Sequence, residues 1–262
     1  MLMIAHLSDL HFGRLQPGVV QRLAADLNRV GPDLTVISGD LTQHGRRREF
    51  RAARHFLNGL PGAWLAVPGN HDLPRINLVE RFTAPFDRYR RLIGPDLCPL
   101  WRHAEAVVVG VNTARSFGAH WNWAHGRISR EQVRHVADVM AAATPRQTRI
   151  VVAHHPFVAP EIRPDLRLVG GRRAAVSQFA RCGVDVILSG HFHLGYAAPV
   201  AHEAAADGHV VLAVQASTAT SSRVRGDGNA YNVLRLDGQR IDLQVRRWRD
   251  GRFVPGPTRR IR

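Results

Sequence analysis

The sequence predicts an α/β fold from three observations. Short apolar runs ended by polar residues, Gly or Pro alternate with segments of helical period. Past His193 the pattern changes to short alternating strands with Asp-Gly turns. Five polar strings, most of them directly behind an apolar run, occur in the order Asp9-Leu10-His11, Gly39-Asp40, Gly69-Asn70-His71-Asp72, His154-His155 and Gly190-His191-Phe192-His193.

Taken in chain order, Met3–Leu7 is apolar enough for a buried strand, and residues 17–30 place Val20, Leu23, Ala24 and Leu27 at helical spacing before stopping at Gly31-Pro32. Leu34–Ile37 and Trp64–Val67 are further strands, with a helix expected over 46–58 between them. A second helical segment, 77–93, is interrupted by Pro85. Ser129-Arg130-Glu131-Gln132 is a capping box opening a helix to about Ala143. Ile150–Ala153 and Val184–Leu188 complete the buried strands. The β-rich end has expected strands near 196–203, 209–216, 229–236 and 240–248, with Asp207-Gly208 and Asp237-Gly238 as hairpin signals. Without repeats or long linkers, residues 1–262 read as one domain: a motif-bearing core 1–217, a β-rich part 196–250 and a basic tail 251–262.

If the strands lie side by side, the polar strings emerge together at their carboxyl ends, where open α/β sheets bind ligands. Each string alone has an ordinary explanation as a turn or loop. Jointly they supply enough oxygen and imidazole ligands for two metal ions. His191 and His193, at i and i+2, fall on one side of an extended segment, as a chelating pair requires.

The strings His6-Leu7-Ser8-Asp9-Leu10-His11-Phe12-Gly13, Ser38-Gly39-Asp40-Leu41-Thr42, Pro68-Gly69-Asn70-His71-Asp72, His154-His155-Pro156 and Ser189-Gly190-His191-Phe192-His193 resemble the motifs of the calcineurin-like metallophosphoesterase superfamily, from Leu2 to about Ser217. The His-His-Pro form is most similar to bacterial class III cyclic-nucleotide phosphodiesterases and related glycerophosphodiesterases. The resemblance implies a four-layer α-β-β-α sandwich of two stacked mixed sheets. It implies that Asp9, His11, Asp40 and His193 bind one metal and that Asp40, Asn70, His154 and His191 bind the other, Asp40 bridging. His154 is preferred over His155 as the first to leave its strand, and either could point inward. The donor set suits Fe, Mn, Zn or Co and selects none of them.

Two ions roughly 3.5–4 Å apart can activate a bridging water for in-line attack on phosphorus. His71, beside Asn70 and assigned to neither ion, is the expected general acid, with Asp72 either orienting it or capping its loop. The implied activity is hydrolysis of a small anionic phosphodiester, 3′,5′-cyclic nucleotides first and glycerophosphodiesters close behind. Alternatives are a lipid-linked pyrophosphate, phospholipid or nucleic acid as substrate, or a non-catalytic metal-binding scaffold.

Two segments between motif strands are expected to shape the pocket: 73–99, and 115–127, which holds Trp121, Trp123 and His125. Arg75 and His125 are candidates for a second phosphate contact, and the two Trp residues for stacking on a base or covering an acyl chain.

The 262 residues carry 36 basic side chains, all Arg, against 21 acidic ones, a net charge of +15. That field favours anionic substrates. The Arg residues are scattered, without the aromatic-interleaved stripe of a nucleic-acid groove, so no stable nucleic-acid partner is expected. No run approaches the roughly 20 apolar residues of a membrane span, and the expected location is the cytoplasm. Cys98 and Cys182 lie far from every motif. Oligomeric state is left open, a homo-oligomer included.

Overall fold

The computed structural model describes residues 1–117, 124–200, 209–224, 226 and 228–262. β1 (Leu2–Leu7) leads to α1 (Val19–Val30), which buries Val19, Leu23 and Leu27 along one face. It ends at Gly31, whose left-handed backbone (φ 62°) lets its N–H donate to Leu27 O at 2.8 Å. β2 (Leu34–Ile37), α2 (Arg47–Asn58) and β3 (Ala63–Ala66) follow. The 77–93 segment forms two short helices, α3 (Leu78–Thr83) and α4 (Asp87–Leu92), with Pro85 in the gap.

β4 (Leu100–Arg102) and β5 (Ala106–Val111) precede α5 (Arg130–Ala141). Ser129 caps α5 as its capping box predicts, accepting from Gln132 N at 3.1 Å while Gln132 Oε1 accepts from Ser129 N at 2.9 Å. β6 (Thr148–Ala153), α6 (Arg172–Arg181), β7 (Val186–Ser189), β8 (Tyr196–Pro199) and β9 (Leu212–Gln215) continue the chain. β10 (Ala230–Asp237) and β11 (Arg240–Arg249) turn at Gly238, as the hairpin signal predicts, and β12 (Arg252–Arg260) ends the fold.

Two six-stranded mixed sheets result, in the orders β12-β11-β10-β1-β2-β3 and β4-β5-β6-β7-β9-β8. β1, β2 and β3 are parallel in the first, and β5, β6, β7 and β9 in the second. Strand periodicity divides the core into three apolar layers. Leu2, Ile4, Leu34, Val36, Val108, Ile150, Val152 and Leu188 fill the space between the sheets. Ala5, Leu7 and Ile37 turn the other way, onto α1, α2 and α4. Val109, Val151 and Ile187 meet α5 and α6. This is an α-β-β-α sandwich. A one-residue slip in β1 would exchange its two faces, so both cores fix its register. His6, on the inter-sheet face, is satisfied by Ser38 Oγ at 2.9 Å and Asn232 Nδ2 at 3.3 Å, and burial lowers its pKa to about 3.

Besides the three-residue β4, which the sequence reading lacks, three elements differ from it. β5 is wholly buried, one strand in from the edge strand β4; its run Ala106–Val111 has the right composition but ends in no polar ligand string. α6 gives little helical signal, because its apolar positions are mostly Ala between Arg residues. The segment read as a basic tail, 251–262, is chiefly β12, which pairs with β11 and buries Phe253 against Tyr231 and Trp248. The expected Asp207-Gly208 turn and the end of the 196–203 strand lie outside the described residues.

α1 is fastened to the first sheet by a buried ion pair. Asp26 accepts from Arg246 Nε at 2.7 Å and Nη2 at 2.9 Å, and from Tyr231 Oη at 2.6 Å. Burial raises the Asp26 pKa, but the bonds from Arg246, Tyr231 and Arg29 outweigh it and hold it below the usual range. Its stabilising contribution is therefore full above the unfolded carboxylate pKa and lost as pH falls through the folded value. Asp26→Ala is expected to cost about 3 kcal/mol near neutral pH, because Arg246 is left buried without its partner. Urea unfolding checks this, and a loss that does not shrink as pH falls below 4 would show that the ion pair is not its source.

Candidate metal centre

The carboxyl ends of β1, β2, β3, β6 and β7 meet at one edge of the sandwich. The backbone there is unusual: of the six described non-glycine residues with positive φ, five are Asp9 (53°), His11 (49°), Asp40 (52°), His191 (76°) and His193 (57°). Such conformations cost of order 1–3 kcal/mol each and persist where surrounding structure imposes them. The sixth, Asp250, sits in the β11–β12 turn. Close approach explains two of the motif glycines. A Cβ at Gly69 would collide with the Asp40 carboxylate, and one at Gly190 with the Ser8 hydroxyl.

The side chains form two groups that meet at Asp40. In one, His193 Nε2 lies 3.1 Å from Asp9 Oδ1 and 3.2 Å from His11 Nε2, and His11 Nε2 lies 3.6 Å from Asp9 Oδ1 and 3.8 Å from Asp40 Oδ2. In the other, His154 Nε2 lies 3.3 Å from Asp40 Oδ2, 3.2 Å from Asn70 Oδ1 and 3.3 Å from His191 Nδ1. Atoms bound to one ion at about 2.0–2.2 Å stand about 3.0–3.5 Å apart, which the contacts of His193 and His154 match, while His11 Nε2 stands slightly farther from the two carboxylates, at 3.6 and 3.8 Å.

The remaining atoms of these residues are largely engaged elsewhere. Asp9 Oδ2 accepts from Ser8 Oγ at 2.6 Å and His191 N at 2.9 Å, and Asp40 Oδ1 accepts from His71 N at 2.8 Å. His154 Nδ1 faces Ser38 O at 2.8 Å and His193 Nδ1 faces Arg223 O at 2.6 Å. Donation there leaves both Nε2 lone pairs directed inward, a support typical of metal-binding imidazoles. Asp9 Oδ1, fully buried, accepts no hydrogen bond among the described residues. A buried carboxylate oxygen without a donor, facing two imidazoles, fits a cation.

The electrostatics agree. Burial pushes the carboxylates up, but neighbouring imidazoles, foremost His193 for Asp9 and His154 for Asp40, hold both far below their usual range. His154 is pushed the other way: burial lowers it, but Asp40 raises it to about 9. His191, buried and facing His154, falls to about 3.

His155 packs against His154 and His191, with ring centroids 4.9 and 4.7 Å away, but its nitrogens have other partners. Its Nδ1 is 2.8 Å from Thr113 Oγ1 and its Nε2 3.1 Å from Ala124 O, so both nitrogens serve the loops beyond β5. Of the pair, His154 faces Asp40 and Asn70. His71 packs edge-on against His11 with its Nδ1 2.8 Å from Gln43 O and its Nε2 3.2 Å from Arg223 Nη1. Of the two readings of Asp72, orienting His71 or capping its loop, its contacts fit the second. Asp72 accepts from Thr42 N at 2.8 Å, Thr42 Oγ1 at 2.9 Å, Gly69 N at 2.9 Å and Leu41 N at 3.2 Å. It ties the β2 and β3 tips together, and Gln43 and Arg223 hold the imidazole.

Arg75 lines a cleft of about 370 Å³ beside Asn70 and His71. His125 lines an adjoining one, also about 370 Å³, with Asp40, His191 and His193. Trp121 and Trp123 lie outside the described residues. Sequence reading missed Gln43, Arg14 and Arg223, and also the Ser/Thr run 217–222 that fastens the β1 tip: Thr218 Oγ1 donates to Asp9 O and Thr220 Oγ1 to Leu10 O, both at 2.6 Å. The density of hydroxyls in that run was the available signal.

A family model described as calcineurin-like phosphoesterase matches residues 2–195. A glycerophosphodiester phosphodiesterase, GpdQ, of Enterobacter lignolyticus is 34% identical over 82 residues, which are 27% of this chain and 30% of that protein. The chain thus matches under a third of that relative's length. Purple acid phosphatase PPD1 from yellow lupin seeds superposes with a TM-score of 0.73 over 98% of this chain and 53% of its own, at 12% identity. The phosphopantetheinyl hydrolase PptH of Mycobacterium tuberculosis superposes at 0.50 over 82% of this chain and 89% of its own, at 16% identity. At such identities the two structures establish a shared fold.

Asp72→Ala strips the buried N–H groups of Leu41, Thr42 and Gly69 of their acceptor, at about 1–3 kcal/mol for each donor left unsatisfied, while the Thr42 hydroxyl can still donate to His71 O. The metal-free variant is expected to unfold at least about 3 kcal/mol more readily in urea, and a loss below about 1 kcal/mol would deny Asp72 this fastening role.

Proposed function

The chain belongs to the calcineurin-like phosphoesterase family, and from that premise we propose that it hydrolyses small phosphodiesters with two metal ions that share Asp40. The coarser statement, a metal-dependent phosphoesterase, rests on the family and on the His/Asp groups able to hold metal. The observation that carries the finer one is the position of Asp40 Oδ2, 3.8 Å from His11 Nε2 on one side and 3.3 Å from His154 Nε2 on the other.

In this reading Asp9, His11 and His193 hold the first ion, Asn70, His154 and His191 the second, and Asp40 both. Fe, Mn, Zn and Co all suit the donor set. When bound, such ions neutralise phosphoryl oxygens and make water nucleophilic near neutral pH. The chain's own residues do the rest. Ser8, Ser38 and Arg223, through the hydroxyl of the first and the backbone carbonyls of the others, fix the orientation of Asp9, His154 and His193. His71 stands next to Asn70 with Arg223 at its Nε2, so a leaving oxygen beside them meets a proton donor and a fixed positive charge. Burial, His11 and Arg223 lower the His71 pKa while Asp40 raises it, with a net fall that keeps the free imidazole neutral near pH 7. Proton donation from His71 therefore calls for the added negative charge of a bound phosphodiester. The likeness to GpdQ supports glycerophosphodiesters beside 3′,5′-cyclic nucleotides as first substrates.

With added Mn²⁺, bis(p-nitrophenyl) phosphate and 3′,5′-cyclic AMP are expected to turn over, and DNA or RNA to be cut far more slowly. Within that assay His71→Ala should keep its metal and lose about 10²–10⁴ in rate for an alkoxide leaving group, but little for nitrophenolate. Equal losses for both would assign His71 to orienting phosphate, and turnover confined to polymers or lipid pyrophosphates would overturn the substrate class.

A further inference from the structure

The cleft beside His71 is lined by Arg14, Arg75, Arg81 and Arg223 with Gln43, and no carboxylate is among its lining residues. Elsewhere Arg side chains find acidic partners, as Arg88 does in Glu80, Arg246 in Asp26 and Arg163 in Asp165. In the cleft, Arg14 and Arg75 make no ion pair or side-chain hydrogen bond among the described residues. Arg223 turns its Nη1 to His71 Nε2 at 3.2 Å. Arg81 is a buried wall of the cleft, its Nη1 donating to Pro74 O at 3.0 Å and its Nε to Ser116 O at 3.2 Å. Gathering the guanidinium groups of Arg14, Arg75 and Arg223 with no carboxylate in the cleft lining is unfavourable unless an anion joins them, and their planar forks match phosphate oxygens. The volume, about 370 Å³, falls within the range of small-molecule sites.

This cleft and the one over Asp40, His191 and His193 share Asn70, His71 and Arg223. A molecule whose scissile phosphate rests at the metal centre therefore has its next group beside the arginines. We infer that Arg14, Arg75 and Arg223 form a subsite for a second phosphate, so that the preferred substrate is a phosphodiester bearing a further phosphate group. The inference rests on the proposed function and narrows its substrate class: a lone cyclic phosphate or an uncharged glyceryl ester leaves the arginines unused.

The test compares binding of adenosine 5′-monophosphate and adenosine 3′,5′-bisphosphate to Mn²⁺-loaded protein by calorimetry at physiological ionic strength. The bisphosphate is expected to bind about tenfold more tightly, the gain of one charge-assisted contact set. Arg14→Gln/Arg75→Gln should reduce that ratio to near one, while Arg259→Gln/Arg260→Gln on β12, outside the cleft lining, should leave it intact. Metal content and circular dichroism verify each variant, and Arg75→Glu alone gives the same readout should the double variant misfold. Equal affinities in the unaltered protein would overturn the subsite, as would a preference that survives loss of Arg14 and Arg75, which would then belong to the overall charge. Because the readout is binding, a preference found without turnover would sink the hydrolase reading alone, and turnover of simple diesters without a preference would sink the subsite alone.

Discussion

Two carboxylates and four imidazoles crowd the edge of the sandwich at separations of 3.1–3.8 Å, with Asp9, His11 and His154 wholly buried. Holding such groups out of water costs several kcal/mol per charge unless a compensating charge is present. Much of the surrounding structure serves that crowding. Positive φ at Asp9, His11, Asp40, His191 and His193 bends the strand tips inward, and Gly69 and Gly190 let the backbones touch. Asp72 on one side and the hydroxyls of Thr218 and Thr220 on the other prevent the tips from separating. The apolar layers have a complementary task. By burying both faces of each sheet they fix the register that decides which side chains reach the edge.

The site was legible where its information is local. Asp9-Leu10-His11 or Gly190-His191-Phe192-His193 carries both its ligand types and its strand within a few residues, so the strings name the residues that the fold gathers. Alternation likewise placed the parallel strands that deliver them. What stayed hidden depends on distant partners. Asp72 meets Leu41 and Thr42, 31 and 30 residues away, and Arg223 meets His71 across 152 residues. No local pattern encodes such pairings. β5 is hidden for a different reason: its tip carries none of the candidate ligands that mark the other strands. β12 was misread because Arg and Pro dominate it, although an edge strand tolerates both and is kept from pairing with other chains by such residues.

The net charge of +15 gains a sharper meaning in the structure. Several arginines are spent on ion pairs within the fold, as at Asp26, Glu80 and Asp185. Arg14 and Arg75 in the cleft are not so engaged among the described residues, and they adjoin a region rich in buried carboxylate and imidazole. Positive rim and candidate metal centre together form a surface shaped for phosphate esters, with Arg223 common to both.

The account stands or falls on Asp40 serving two ions at once. Elemental analysis of protein saturated with Mn²⁺ or Zn²⁺ and freed of loose metal addresses it directly. Two ions per folded chain are predicted, with Asp40→Ala losing affinity at both sites, whereas saturation at one ion per chain, or an Asp40→Ala protein that still holds two, would contradict it.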